Sequence, residues 1–156
     1  MASTALGIFI LAAHPIAALG VIALMIHQYR YRKRRKEMRG EEAKDERTAH
    51  EEAGEKAYIL AIFVVALGLA INMATDFSEQ GVIAVLPSHV HGWFGIMGLI
   101  LFTILVRKGR LAKAQREAGD SFSLEVQRHG RAADIIVILM VVHAFLGFLY
   151  LFQLLR

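Results

Sequence analysis

Four apolar runs dominate the chain, at roughly 5–26, 57–75, 90–106 and 132–155. A helix needs about 20 predominantly apolar residues to cross ~30 Å of hydrocarbon at ~1.5 Å per residue. Each run approaches or exceeds that length. Inside a bilayer no water satisfies backbone N–H and C=O groups, so a spanning segment must be a helix or part of a closed barrel. Runs this long and this uniformly apolar are helices. The pattern predicts an all-α integral membrane protein, a four-helix transmembrane bundle with helices at about 5–27, 50–76, 88–107 and 129–155. All 156 residues form one domain, with a charged connection over 28–56. The third run is the shortest by hydropathy, and Pro87, well suited to a first turn, extends it outward.

The cations are distributed unevenly. Ten Lys/Arg fall between the first two runs, from Arg30 to Lys56, and seven fall between the last two, from Arg107 to Arg131. The segments before the first run and between the second and third have none. The positive-inside rule then puts both basic loops in the cytoplasm or stroma and both termini on the periplasmic or lumenal side. The membrane would be a bacterial inner membrane or one of thylakoid type. No Lys or Arg precedes the first run and a dense basic cluster follows it, the reverse of a cleavable signal, so it reads as an anchor. Trp93 and Tyr150 then lie near the outer interface, and Tyr29, Tyr31 and Tyr58 near the inner one. The 28–56 segment mixes its cations with eight Asp/Glu, so topology and lipid contact account for it and no nucleic-acid partner is expected. No internal repeat is evident along the chain.

The chain has no cysteine. Disulfides, thiolate metal sites, iron–sulfur clusters and covalent c-type haem attachment are thereby excluded. It has seven histidines, and ionisable residues at membrane depth are expected to be functional. With the first and third helices running inward, His14 and His91 fall in the outer half. His50 and His129 open the second and fourth helices at the inner face. His143 falls near mid-membrane, and His27 and His89 at the interfaces. In an antiparallel up-down bundle, helices one and three are diagonal, as are two and four. Each tier therefore offers one imidazole from each of two diagonal helices, the arrangement that bis-histidine ligation of a b-type haem requires. His14 with His91 would hold an outer haem iron and His50 with His129 an inner one, with His143 in reserve.

A flat cofactor also needs room. Residues at i+4 share a helix face, and His50 is followed at that spacing by Gly54, and His91 by Gly95 with Gly98 beyond. These glycines predict a bare shelf beside each ligand. The same Gly92, Gly95 and Gly98 spacing also suits close helix packing, and a single interfacial histidine needs no metal. Asp134, near the start of helix four, reads either as an ion-pair partner of Arg131 or as a proton relay, the first being favoured. Asn72 and Asp76 could line a quinone or haem-propionate site, and Arg30, Arg32 and Arg128 stand where inner propionates would be contacted.

The combination His14-Pro15, Arg30 and Arg32, His50 with Gly54, His91 with Gly95, and Arg128-His129 resembles four-helix membrane cytochromes b, loosely the cytochrome b561 type. The likeness is closer to a small His-rich four-helix membrane family of unknown function from cyanobacteria and chloroplasts, and it covers most of the chain. The resemblance implies haem binding and names no substrate. The resulting expectation is a transmembrane electron-transfer protein with two b haems, working with a quinone, a redox partner or a larger membrane complex. A rival expectation is a non-redox accessory or assembly subunit of such a complex. A metal-ion transporter is weaker, because Asp134 is essentially the only carboxylate within the spans.

Overall fold

The computed structural model describes residues 5–154, and the side chains of 12–153 apart from Gln80. Its order is α1 (Ala5–Arg34), α2 (Gly40–Gln80), a single 3₁₀ segment (Gly81–Val85), α3 (Val90–Glu117) and α4 (Ser123–Leu154). All four helices are long and apolar enough to cross a membrane. The protein is a four-helix transmembrane bundle, and no strand occurs among the described residues.

Each helix runs further than its apolar stretch at the basic end. The charged 28–56 connection is therefore mostly helix, interrupted only over 35–39. Its composition explains this: Glu, Lys, Arg and Ala are good helix formers. Glu41 and Glu42 stand at the positive end of the α2 dipole, and Arg32, Lys33 and Arg34 at the negative end of α1. α2 stops at Gly81, whose φ of +60° suits glycine and whose N–H donates to the Phe77 carbonyl.

α1 packs on α2 and α4, and α3 packs on α4 and α2. Among the described residues, no Cα of α1 comes within 8 Å of α3, nor any of α2 within 8 Å of α4. Those are the diagonals of an antiparallel square. The buried core is Val21, Ala57, Ala61, Val64, Phe102, Leu105, Val106 and Ile136. Along every helix these residues lie between an outer and an inner level of histidines. Outward-facing side chains are large and apolar, among them Ile16, Phe63, Ile138 and Val141, each more than 60% exposed. An apolar exterior of this kind is what lipid contact requires.

The two ends are fastened differently. At the end where α2 meets α3, the Asn72 amide donates to the carbonyls of Ala84 (2.9 Å) and Leu86 (3.3 Å), which fixes the 3₁₀ segment. Ser88 Oγ donates to Asp76 at 3.0 Å and accepts from His89 Nδ1 at 2.9 Å. At the basic end, acids of α2 pair with bases of α3: Glu51 with Arg116 and Lys113, and Glu55 with Arg110 in a bidentate bridge. The buried Glu125 of α4 takes Lys108 and Arg128. The mixed charges of the 28–56 segment are thus partly an interhelical lattice, beyond the topological and lipid roles expected of them.

Candidate functional site

The diagonals that share no backbone contact are bridged by imidazoles. The rings of His14 (α1) and His91 (α3) have centres 6.0 Å apart and planes crossed at 84°. Those of His50 (α2) and His129 (α4) lie 6.2 Å apart, crossed at 88°. All four rings are half-buried. His143 does not join a diagonal. It stacks in parallel on His91, with centres 4.2 Å apart.

Each pair sits at one level, and the two levels are far apart. Eighteen residues separate His50 from Gly68, His91 from Gly109, and His129 from Gly147. Eighteen residues make about five turns and span ~27 Å, so each glycine lies on the same face as its histidine at the opposite level. There it receives the histidine of the adjacent helix. A Cβ on Gly68 would stand 2.9 Å from His14 Cε1, one on Gly147 2.7 Å from His91 Cε1, and one on Gly109 3.3 Å from His129.

A glycine in each of these seats lets the ring lie against the neighbouring helix and reach the carbonyl one turn earlier. His14 Nδ1–H donates to the Val64 carbonyl at 3.2 Å, four residues before Gly68. His91 Nδ1–H donates to the carbonyl of residue 143 at 3.3 Å, four before Gly147. His129 Nδ1–H donates to the Leu105 carbonyl at 3.0 Å, four before Gly109. A proton held at Nδ1 leaves Nε2 as the nitrogen with a free lone pair, and this backbone tether is the usual way a ligating histidine is oriented.

The hairpins α1–α2 and α3–α4 therefore carry the same device at matching places, a repeat of arrangement that no run of similar sequence announces. It is broken once. His50 has no glycine opposite. Its ring stacks on Tyr31 of α1, with centres 4.2 Å apart, and its Nδ1 is buried without a partner. Beside it, along the α1–α2 seam, lies a cavity of about 410 Å³, bounded by His27, Gln28 and Arg34 on one side and Glu46, Ala49, His50 and Ala53 on the other.

The other residues singled out from sequence fall as follows. Gly95 meets His143 (3.4 Å from its Cε1), not the ring of His91 on its own helix. Gly54 and Gly98 have nothing within 4 Å of where a Cβ would be. Asp134 pairs with Arg32 and accepts from Tyr29 of α1 (2.7 and 2.9 Å), where Arg131 was the expected partner, since α4 turns Asp134 toward α1. Arg32 and Arg128 are thus engaged with Asp134 and Glu125. Asn72 and Asp76 tie loops. His89 caps α3 in extended conformation and stacks on Tyr150 at 3.8 Å. Local spacing does not single out Gly68 or Gly109, and it assigns Gly147 to His143 and Tyr31 to the aromatic belt in place of the His91 and His50 rings they meet. The signal that would have found the glycines is the eighteen-residue His-to-Gly spacing, repeated three times.

Among the described residues, no three His, Asp or Glu side chains gather as a multidentate metal site. The fold and site define a membrane bundle with two imidazole pairs. No protein-family description, curated protein or solved structure matches the chain.

Proposed function

We propose that this protein carries electrons across a membrane on two b-type haems, the outer held by His14 and His91 and the inner by His50 and His129. The observation that carries this reading is the pair of ring separations, 6.0 and 6.2 Å, each across a diagonal. Metal–imidazole bonds are about 2.0–2.1 Å and the ring centre lies roughly 1.2 Å behind its nitrogen, so two imidazoles that share one metal can have centres up to about 6.4 Å apart, and both separations lie just inside that limit. A haem also suits a donor set of two, because the porphyrin supplies the other four nitrogens. A bare divalent ion usually takes three or four protein ligands, and no three of the described side chains are placed to hold one together.

Bound there, each haem would supply one-electron chemistry. The chain's own part is to hold the ligands. The tethers from Nδ1 to backbone carbonyls fix three of the four rings, and the glycine seats keep them from turning. The two levels stand ~27 Å apart along the helices, close to the thickness of the hydrocarbon core. They therefore serve opposite faces, and the apolar core between them excludes water. The excess of Lys and Arg in the two basic loops supports an inner level on the cytoplasmic or stromal side. The electron donor and acceptor belong to a redox partner or a larger membrane complex.

The test is a reduced-minus-oxidised visible spectrum, with a haem-to-protein ratio, on protein purified from haem-replete cells. Two b haems per chain are expected. His91→Ala should lose one and His129→Ala the other. A folded, haem-replete preparation without haem overturns the reading and favours an accessory subunit.

A further inference from the structure

We propose that the cavity beside His50 binds the headgroup of a membrane quinol. This rests on the reading of His50 as an inner ligand through Nε2, which leaves its Nδ1–H directed away from the metal. In three of the four seats a glycine admits the ring, and a carbonyl takes the Nδ1 proton. In the fourth no glycine stands opposite, since the position eighteen residues after His14 is Arg32; the ring stacks on Tyr31 instead, and Nδ1 has no acceptor. The cavity of about 410 Å³ lies at this one irregular seat. It falls within the ~300–1,000 Å³ typical of small-molecule pockets. All its bounding residues come from α1 and α2, so it lies beside the His50–His129 pair and not between the two rings.

Its polar groups ask for a particular ligand. Gln28 Oε1, on the same wall, is also buried without a partner. A buried donor and a buried acceptor each left unpaired cost ~1–3 kcal/mol, so a ligand that satisfies both is favoured. One hydroxyl can do so, accepting from His50 Nδ1–H and donating to Gln28 Oε1. An ionised carboxylate cannot, because it has no proton to donate. The rest of the wall suits an uncharged body: Ala49 and Ala53 are small and apolar, and the one acid, Glu46, faces Arg34 at 3.5 Å. The seam is open on the side where His27 and Ala49 are exposed, at the inner end of the first apolar run, which is where a lipid-borne ring would enter. A quinol in that place is one hydrogen bond from an inner-level ligand.

The experiment measures binding of decyl-ubiquinol to the purified full-length protein by equilibrium dialysis under reducing conditions, with haem content read separately by absorbance. Saturable binding of one quinol per chain is expected. Gln28→Leu should weaken it at least tenfold without changing the haem spectrum, and Ala53→Phe, which fills the cavity from the other wall, should abolish it. A helical circular-dichroism spectrum checks that each variant folds. No saturable binding by the unaltered protein, or equal binding by both variants, overturns the site. The two readings fail separately. Quinol binding that depends on Gln28 in a chain without haem upholds the pocket and sinks the cytochrome. Two haems with no such binding sink the pocket alone.

Discussion

Gly147 leaves the space that His91 fills. A Cβ there would stand 2.7 Å from the ring's Cε1, closer than real Cβ contacts come, and 3.1 Å from Nδ1. The same edge of the ring bonds the carbonyl of residue 143 through Nδ1, so a ring that retreats from a methyl stretches that bond. Gly147→Ala should therefore turn the imidazole. Loss of a supporting contact around a ligand typically costs 10–100-fold in affinity, and on the proposed reading haem affinity at the outer level should fall by that order while the inner level is unchanged. Gly68→Ala, at 2.9 Å from His14, should act on the same haem, and Gly109→Ala, at 3.3 Å from His129, more mildly on the inner one. Gly54→Ala, with open space around it, is the control. Haem titration of the four proteins checks the order.

His143 separates ligand from neighbour. It stacks on His91 but faces no diagonal partner, and what it gives His91 is a backbone carbonyl that any residue would supply. His143→Ala should keep both haems. His91→Ala should lose the outer one even with His143 present. A spectrum of His143→Ala lacking the outer haem would show that the reserve ligand is the real one.

The bundle and the levels of His14, His91, His50 and His129 were legible in the sequence because both follow from one-dimensional quantities, the length of apolar runs and the distance of a residue from their ends; His143, expected near mid-membrane, stands instead against His91 at the outer level. The role of the glycines was not. Gly95 was read with His91 because i+4 neighbours share a helix face, yet it meets His143 across the α3–α4 interface, and His91 meets Gly147 in return. A face that is bare on one helix is filled by its neighbour, and that exchange depends on helix rotation and register, which local spacing does not encode. Only the five-turn interval carried it. Tyr31 was read as part of an aromatic belt for the same reason: its partner, His50, lies on another helix.

Asp134 tests what depth alone can say about an acid. It pairs with Arg32 and Tyr29, and the Arg32 and Asp134 side chains are 58% and 41% exposed. Exposed pairs contribute about 0–1 kcal/mol. Asp134→Asn should leave the melting temperature within a few degrees and haem content unchanged. A large loss of proton-coupled function in this variant would restore the relay role.

Glu51 should matter more than Glu55, although both bridge α2 to α3. Both bridges are bidentate, and the second bond of Glu55–Arg110 is the shorter (2.5 Å against 3.4 Å), but the Glu55 and Arg110 side chains are 41% and 56% exposed, so water competes for both ends. Glu51 is 22% exposed and takes Arg116, itself 26% exposed, together with Lys113. Hydrogen bonds to charged groups contribute ~1.5–3 kcal/mol when shielded, against about 0–1 kcal/mol for an exposed pair. Glu51→Gln should therefore lower stability by about 1–3 kcal/mol and Glu55→Gln by less than about 1 kcal/mol. Glu51 also directly follows His50, so loosening this corner should weaken the inner haem before the outer one. Thermal melts in detergent, followed at the haem absorbance and by circular dichroism together, would show the inner haem leaving first. Equal effects of the two substitutions would mean that the lattice acts through net charge and not through the shielded Glu51–Arg116 contact.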